Sequence, residues 1–163
     1  EVASDRLLAK MKKGVDIAQV ARVTNVFSKN NIMVHAYLMY GFPTQTEQET
    51  IDSLEVVRQL FERDCIQSAF WHLFTTTVHS PIGKNPQEFG IEITGPVFEG
   101  FAQNDLYHED PQGADHPKYT KGLNLALNDY LNKAGFKREL QNWFDFPILS
   151  TSHSKGLIES FLS

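Results

Sequence analysis

The sequence has 163 residues, 41% of them apolar, and a formal charge of −5 at pH 7. This length suits one domain with a hydrophobic core, and the negative charge gives no electrostatic case for nucleic acid or an anionic membrane as a partner. The sequence has no apolar run long enough to predict a membrane-spanning helix. Its single cysteine, Cys65, excludes an intrachain disulfide and fits a reducing, cytoplasmic setting.

Two helices are predicted at the start of the chain. Ser4 can cap a helix over residues 5–11, which the basic and glycine-containing segment 12–14 ends. Asp16 can cap a second helix, with Gln19 at the capping-box position. Apolar residues at helical spacing predict its buried face, formed by Ile17, Val20, Val23 and Phe27.

A strand, a turn and a helix follow without a gap over residues 32–63. The even positions 32–38 are apolar and suit a helix-covered face, whereas His35, Tyr37 and Met39 point the other way. After a Gly-Phe-Pro turn, Thr46 and Glu49 form a capping box. The helix over 47–63 is predicted to bury four apolar residues, Ile51, Leu54, Val57 and Phe61.

A second apolar strand is predicted over 66–75, so the first half of the chain has the pattern of parallel βα units. Residues 81–117, rich in Gly and Pro, are expected to be irregular, with one short element near 96–101. A helix is predicted over 117–134, with Gly135 past its end. The aromatic segment 136–146 suggests a strand or a packing arm, and 153–162 a terminal helix.

Three segments resemble radical S-adenosylmethionine (SAM) enzymes when taken in order. Residues 1–8 read EVASDRLL, residues 11–14 read MKKG, and residues 40–47 read YGFPTQTE. Such enzymes show a Glu-Ser-Gly-Ser-like segment, a Met-basic-basic-Gly segment and a Gly-Phe-Pro-Gly-Glu-Thr segment at this spacing. The resemblance covers about residues 1–80, including the Ser80-Pro81 ending, and is closest to iron–sulfur oxidoreductases that often carry an upstream cobalamin-binding domain.

The resemblance implies an α/β fold: a partial (half) parallel β/α barrel of TIM type over residues 1–80. Residues 81–163 would be a mainly helical or irregular C-terminal extension packed on it. The family holds a four-iron cluster on a CxxxCxxC loop after the first strand, and this sequence lacks that motif. We therefore expect a piece of a longer protein, inactive alone, whose partner is the N-terminal half of the barrel.

The parent protein would reductively cleave SAM to a 5′-deoxyadenosyl radical that acts on an unknown substrate, small molecule or macromolecule. The implied cofactors are SAM and a 4Fe-4S cluster, with cobalamin as a further candidate in an upstream domain. The resemblance places six residues around SAM: Glu1, Lys13, Tyr40, Gly41, Phe42 and Pro43. Lys12 is the alternative to Lys13. Strand phase and position add a substrate-lining group, formed by His35, Tyr37 and His72.

Each of these residues also has a plainer interpretation. Glu1 can be a solvated chain end, and residues 41–43 can be an ordinary βα turn. His35, Tyr37 and His72 can be core residues whose polar atoms are hydrogen-bonded. Thr44, where the family has glycine, and Val2 and Ala3, where it has serine and glycine, depart from the family pattern.

The sequence is also compatible with two other functions. The first is a non-catalytic ligand- or protein-binding half-barrel, for which the aromatic C-terminal segment would supply an interface. The second is metal-dependent hydrolysis at His108 and His116, whose spacing matches no defined metal motif and suits a solvated loop better. The first strand would also have an open edge, which predicts self-association or coverage of that edge by C-terminal residues.

Overall fold

Helices and two small sheets make up the chain in a computed structural model that describes residues 1–98 and 103–163. The fold is mixed α/β, and no barrel is closed within those residues. The first half follows the predicted order of helix, strand, helix and strand. Its elements are α1 (Asp5–Lys10), α2 (Ile17–Lys29), β1 (His35–Tyr40), α3 (Glu47–Glu62) and β2 (Ser68–Leu73).

The predicted caps of the first three helices are present. The Ser4 hydroxyl accepts from the Leu7 amide at 3.3 Å, and the Asp16 carboxylate accepts from the Gln19 amide at 2.6 Å. Thr46 and Glu49 form both halves of the capping box at the start of α3. Each cap satisfies amides that the first turn of a helix leaves free, which fixes where these helices begin.

β1 and β2 form a parallel pair in which His35 lies opposite Ser68 and Tyr40 opposite Leu73. The predicted phase is confirmed within β1, since Leu38 is buried whereas Tyr37 is 55% exposed, but Ile32 precedes the strand and is 53% exposed. One face of the pair packs against the helical layer, and the other, formed by the odd-numbered residues of β1, is open.

The outer edge of β1 is covered in part by the beginning of the chain. The Glu1 nitrogen donates to the Tyr37 carbonyl, and the Met39 amide donates to the Glu1 carbonyl at 3.2 Å. We expected C-terminal residues or a second copy at this edge. The C-terminal helix packs instead against α2 and α3, so the chain covers the edge from its other end.

The predicted buried face of α2 is only half right. Ile17 is buried, but Val23 and Phe27 are each 43% exposed. Because the sheet ends at β1 in the described part of the chain, no further strand lies beneath this side of α2. An apolar groove of about 300 Å³ runs between α2 and β1, and Val20, Val34 and Ala36 are among the residues that line it.

Residues 81–117 are more regular than predicted. They contain α4 (Pro81–Lys84), a 3₁₀ turn (Pro86–Phe89), β4 (Glu92–Gly95) and β5 (Asp105–Glu109). With β3 (Thr76–Thr77) these strands form an antiparallel sheet in the order β3-β5-β4. In the element expected near 96–101, residues 96–98 show no regular structure, and the rest lies outside the described residues.

The last part of the chain is helical, as expected. A 3₁₀ turn (His116–Tyr119) leads into α5 (Thr120–Leu131), which packs against β2 and α3. α5 ends before the predicted boundary because Lys133, at φ 56°, already leaves the helical conformation. The aromatic segment is a packing arm with a 3₁₀ turn (Leu140–Trp143), not a strand, and α6 spans Leu157–Leu162. No helix in the described ranges is long and apolar enough to cross a bilayer.

Candidate functional site

A cleft of about 520 Å³ opens where β1 ends. One wall is the segment after α1 together with the beginning of the chain, and the other is formed by residues 80–89. Ligands of α/β proteins bind at this end of parallel strands, which makes the cleft the candidate site. Three residues predicted around SAM line it, namely Glu1, Lys13 and Phe42.

Glu1 and Lys13 form an ion pair at the cleft. The Lys13 Nζ lies 2.8 Å from Oε1 of Glu1, and the side chains remain 39% and 42% exposed, respectively. An exposed pair of this kind contributes little to stability. It does present an anion and a cation side by side, so it can accept from an ammonium group and donate to a carboxylate of a ligand. Lys12, the alternative to Lys13, also lines the cleft.

The turn after β1 is held by one buried side chain. Gln45 is fully buried, and its Oε1 accepts from the amides of Gly41 at 2.8 Å and Phe42 at 3.2 Å. Gly41 adopts φ 81°, and a Cβ there would lie 2.9 Å from a methyl carbon of Leu73. Both the conformation and the close approach therefore require glycine. Phe42 packs edge-on against Phe74 and Phe89, with ring centroids 5.3 and 6.3 Å away.

Tyr40 and Pro43 do not line the cleft with their side chains. Tyr40 is 2% exposed and lies on the helix-covered face of β1. Its hydroxyl hydrogen-bonds to Thr120 Oγ1 at 2.7 Å, and its ring packs edge-on against Trp71. Pro43 is buried in the turn. The structure thus gives Tyr40 a packing role, and its predicted contact with SAM has no support from side-chain placement.

The predicted substrate-lining residues come together on the open face of the sheet. The Tyr37 ring meets Phe70 edge-on with centroids 4.1 Å apart, and His72 lies 6.1 Å from Tyr37. His35 Nδ1 is 2.7 Å from the Ser68 hydroxyl. Phe70, which is 37% exposed, belongs to the same cluster. The place of Phe70 in this cluster follows from the strand register, because Phe70 lies directly opposite Tyr37.

The two histidines considered for a metal site serve different parts of the chain. His108 Nδ1 is 3.0 Å from Thr76 Oγ1, whereas His116 Nε2 is 3.1 Å from the Gln45 carbonyl and its Nδ1 is 3.4 Å from Thr50 Oγ1. Burial lowers the pKa of both imidazoles, which favours their neutral forms. Within the described residues no group of three metal-ligating side chains is assembled. Hydrolysis at this pair is therefore not supported.

The residues fit the two implied groups unequally. Cys65 is fully buried and burial raises the pKa of its thiol, so a lone inaccessible sulfur does not fit a four-iron cluster, which needs several thiolates. SAM is different. The cleft is of a volume typical for small ligands and combines the ion pair of Glu1 and Lys13 with aromatic rings at Phe42 and Phe89.

In the second half of the chain, sequence reasoning missed Phe89 and considered Asp110 only as a turn residue and as one of the carboxylates near His108 and His116. Phe89 lines the cleft and packs on Phe42, and Asp110 accepts from the Thr44 amide at 2.7 Å. The hydrophobic pattern does not single out Phe89. Asp110, followed by Pro111, had a usable signal, because Asp before such a turn commonly accepts hydrogen bonds from nearby amides.

No family model, no curated protein and no solved structure matches this chain. The assignment of a function therefore depends on the cleft and the resemblance of its motifs.

Proposed function

We propose that this chain supplies SAM-binding and substrate-facing surface to a radical SAM iron–sulfur oxidoreductase, as part of a half barrel over residues 1–80. One observation supports it above others. Glu1, Lys13 and Phe42 come from three separate motifs of the resemblance, and they line one cleft where β1 ends. Segments that belong to one ligand site are expected to converge in this way, whereas chance matches are not.

The residues of the chain have distinct tasks in this proposal. Glu1 and Lys13 bind the amino and carboxylate groups of SAM, and Phe42 with Phe89 provides an apolar wall for its base. When bound in the parent protein, SAM together with a cluster held by other parts of that protein would supply a 5′-deoxyadenosyl radical for removing hydrogen from a substrate. The cluster ligands, and any cobalamin, belong to other parts of the parent protein. Tyr37, His35 and His72, on the open face of the β1–β2 pair, face the substrate.

Calorimetric titration of SAM into the 163-residue chain tests the proposal. We expect saturable one-to-one binding, weakened at least fivefold by Glu1→Ala and by Lys13→Ala, because each removes about 1 kcal/mol of charge pairing. Lys121→Ala is the matched control, since Lys121 also lies 2.8 Å from a carboxylate, that of Asp145. Absence of binding by the wild-type chain, or wild-type affinity in Glu1→Ala, would overturn the proposal.

The alternative is a non-catalytic interaction domain, and the groove between α2 and β1 favours it. Exposed apolar side chains continue from the groove onto the surface at Val23, Phe27, Ile32 and Met33, the last 78% exposed. Contiguous apolar surface of this kind marks interaction sites. A domain of this type would bind a protein partner and have no affinity for SAM, so the titration separates the two functions.

A further inference from the structure

Thr44 occupies a backbone conformation that its residue type disfavours. Its φ is 70°, in the left-handed region, where the Cβ of an L-residue crowds the following carbonyl and a β-branched side chain is especially unusual. Such a conformation persists only where its surroundings impose it. The contacts of Thr44 therefore show what holds the turn after β1 in place.

Every polar atom of Thr44 is engaged. Its amide donates to Oδ2 of Asp110 at 2.7 Å, and its carbonyl accepts from Arg6 at 2.9 Å. Its hydroxyl oxygen accepts from Arg6 at 3.2 Å and from Lys10 at 3.3 Å. Arg6 and Lys10 reach the turn from α1, whereas Asp110 reaches it from the second half of the chain. Hydrogen bonds from α1 and from the second half of the chain thus hold Thr44 in this strained conformation.

The Asp110 carboxylate is itself fixed. Its Oδ1 accepts from the amides of Gln112 at 3.1 Å and Gly113 at 2.9 Å. A Cβ on Gly113 would lie 2.3 Å from Oδ2 of Asp110, so only glycine permits this close approach. Asp110 therefore offers Thr44 an acceptor that two amides of its own segment hold in place.

The buried Gln45 links Thr44 to the residue Phe42 in the cleft. The Gln45 carbonyl accepts from Nε2 of His116, and its side chain accepts from the amide of Phe42. The Gln45 amide in turn donates to the Phe42 carbonyl at 2.9 Å. Phe42 and Thr44 are thus tied to the same residue, and a rotation at Thr44 must displace Phe42 from its packing on Phe89.

We propose that Asp110 is a positioning residue for the cleft: it holds Thr44 in the left-handed conformation and thereby fixes where Phe42 stands. Only the identity of the ligand, SAM, rests on the proposed function. The positioning itself is a property of the fold. Under this proposal the second half of the chain completes the site from outside, and a glycine at position 44 would make Asp110 dispensable.

Amide hydrogen exchange of the 163-residue chain tests the positioning directly. In Asp110→Ala we expect protection of the Thr44 amide to fall at least tenfold, with amides in the middle of α3 unchanged. Asp115→Ala is the matched control, because Asp115 lies in the same segment and its side chain caps no helix. Titration with SAM should show at least a fivefold loss of affinity in Asp110→Ala and none in Asp115→Ala.

The double variant Asp110→Ala/Thr44→Gly separates positioning from a general loss of stability. Glycine adopts the left-handed conformation without help, so we expect SAM affinity within twofold of that of Thr44→Gly alone. Unchanged Thr44 protection in Asp110→Ala, or no recovery in the double variant, would overturn the positioning. A wild-type chain that binds no SAM would overturn the proposed function, and the exchange experiment would still decide the role of Asp110.

Discussion

Glu49 joins the first helix of the chain to the third. Its carboxylate accepts from the Ser4 hydroxyl at 2.9 Å, from Arg6 at 2.7 Å and from the Thr46 amide at 3.0 Å. Burial alone would raise the pKa of Glu49, but these hydrogen bonds outweigh it and lower the pKa from 4.5 to about 2. The folded chain therefore stabilises the ionised carboxylate of Glu49 more than the unfolded chain does.

This pKa predicts how the free energy of unfolding depends on pH. Because the folded pKa is lowered, the contribution of Glu49 is present above pH 4.5 and is lost as the pH falls towards 2. We expect about 2 kcal/mol, a value already discounted for the exposed Arg6 partner. Urea unfolding of wild type and Glu49→Gln should differ by that amount at pH 7 and converge near pH 2.

The exposed Glu92 provides the control for this prediction. At pH 7, Glu92→Gln, in β4, should leave the free energy of unfolding within about 0.5 kcal/mol of that of wild type, because Glu92 is exposed. If the gap between wild type and Glu49→Gln stayed constant from pH 7 to pH 2, the lowered pKa of Glu49 would be wrong.

Single residues also show where sequence reasoning reaches its limit. Caps and strand phase were predictable because they depend on neighbours within four positions, as for Thr46 with Glu49. The left-handed conformation of Thr44 was not, because its hydrogen bond to Asp110 spans 66 positions. The contact of Tyr40 with Thr120, 80 positions away, was hidden for the same reason. Local pattern says nothing of which distant segment will cover a turn.

Among the elements, α3 departs furthest from its sequence pattern. Its apolar face is buried as predicted, but so are the polar residues Asp52, Glu55, Arg58 and Gln59 of its remaining surface. α5, α6 and the 3₁₀ turn at 140–143 pack over it. The helix is amphipathic in sequence and enclosed in the fold, because the second half of the chain brings hydrogen-bonding groups to its polar side.

Arg58 is the centre of that enclosed polar surface. It donates to both oxygens of Glu55, at 2.6 and 2.8 Å, to Glu62 at 2.8 Å and to the Phe136 carbonyl at 2.9 Å. We expect Arg58→Met to lower the free energy of unfolding by about 3 kcal/mol, since it leaves the carboxylate of Glu55 buried without its cation. Urea unfolding at pH 7 measures the loss.

Two variants test the cause of that loss. Glu55→Gln/Arg58→Met should recover part of the stability, because the uncompensated charge is removed together with its partner. Lys121→Met, in an exposed ion pair, should show no measurable change. Equal losses in the single and double variants would mean that packing, and not the buried charge, determines the effect.

The small antiparallel sheet was missed for a related reason. β4 and β5 are short, and their residues alternate between exposed and partly buried with few large apolar side chains. Prolines and glycines around them indicated turns, which they also form. A strand that pairs over only a few residues is determined by what packs on it, and here Phe74 meets the ring of His108 on β5.

Across the whole molecule, exposed apolar surface is concentrated beside the outer edge of β1. The groove, the exposed face of α2 and the partly covered edge of β1 form one apolar surface. We predict that the isolated chain self-associates through it. Sedimentation velocity should show a concentration-dependent shift from monomer to dimer, which Val23→Glu/Phe27→Glu abolishes because each charge would be buried at the contact.

Leu125 supplies the control for self-association. It is 46% exposed on α5, away from the groove, so Leu125→Glu should leave the dimer intact. A chain that remained monomeric at every concentration, or a dimer disrupted equally by Leu125→Glu, would count against this surface.

The enclosure of α3 also has a consequence for the order of events during synthesis. Asp52 accepts from Thr151 at 2.7 Å, Gln59 donates to the Ser154 carbonyl at 2.8 Å, and Gln48 donates to the Ser150 carbonyl at 2.9 Å. These contacts span 95 to 102 positions. The polar side of α3 therefore stays solvated while the ribosome makes about a hundred further residues. Because contacts of such long range must wait for their partners, we expect the enclosure of α3 to be a late step in folding.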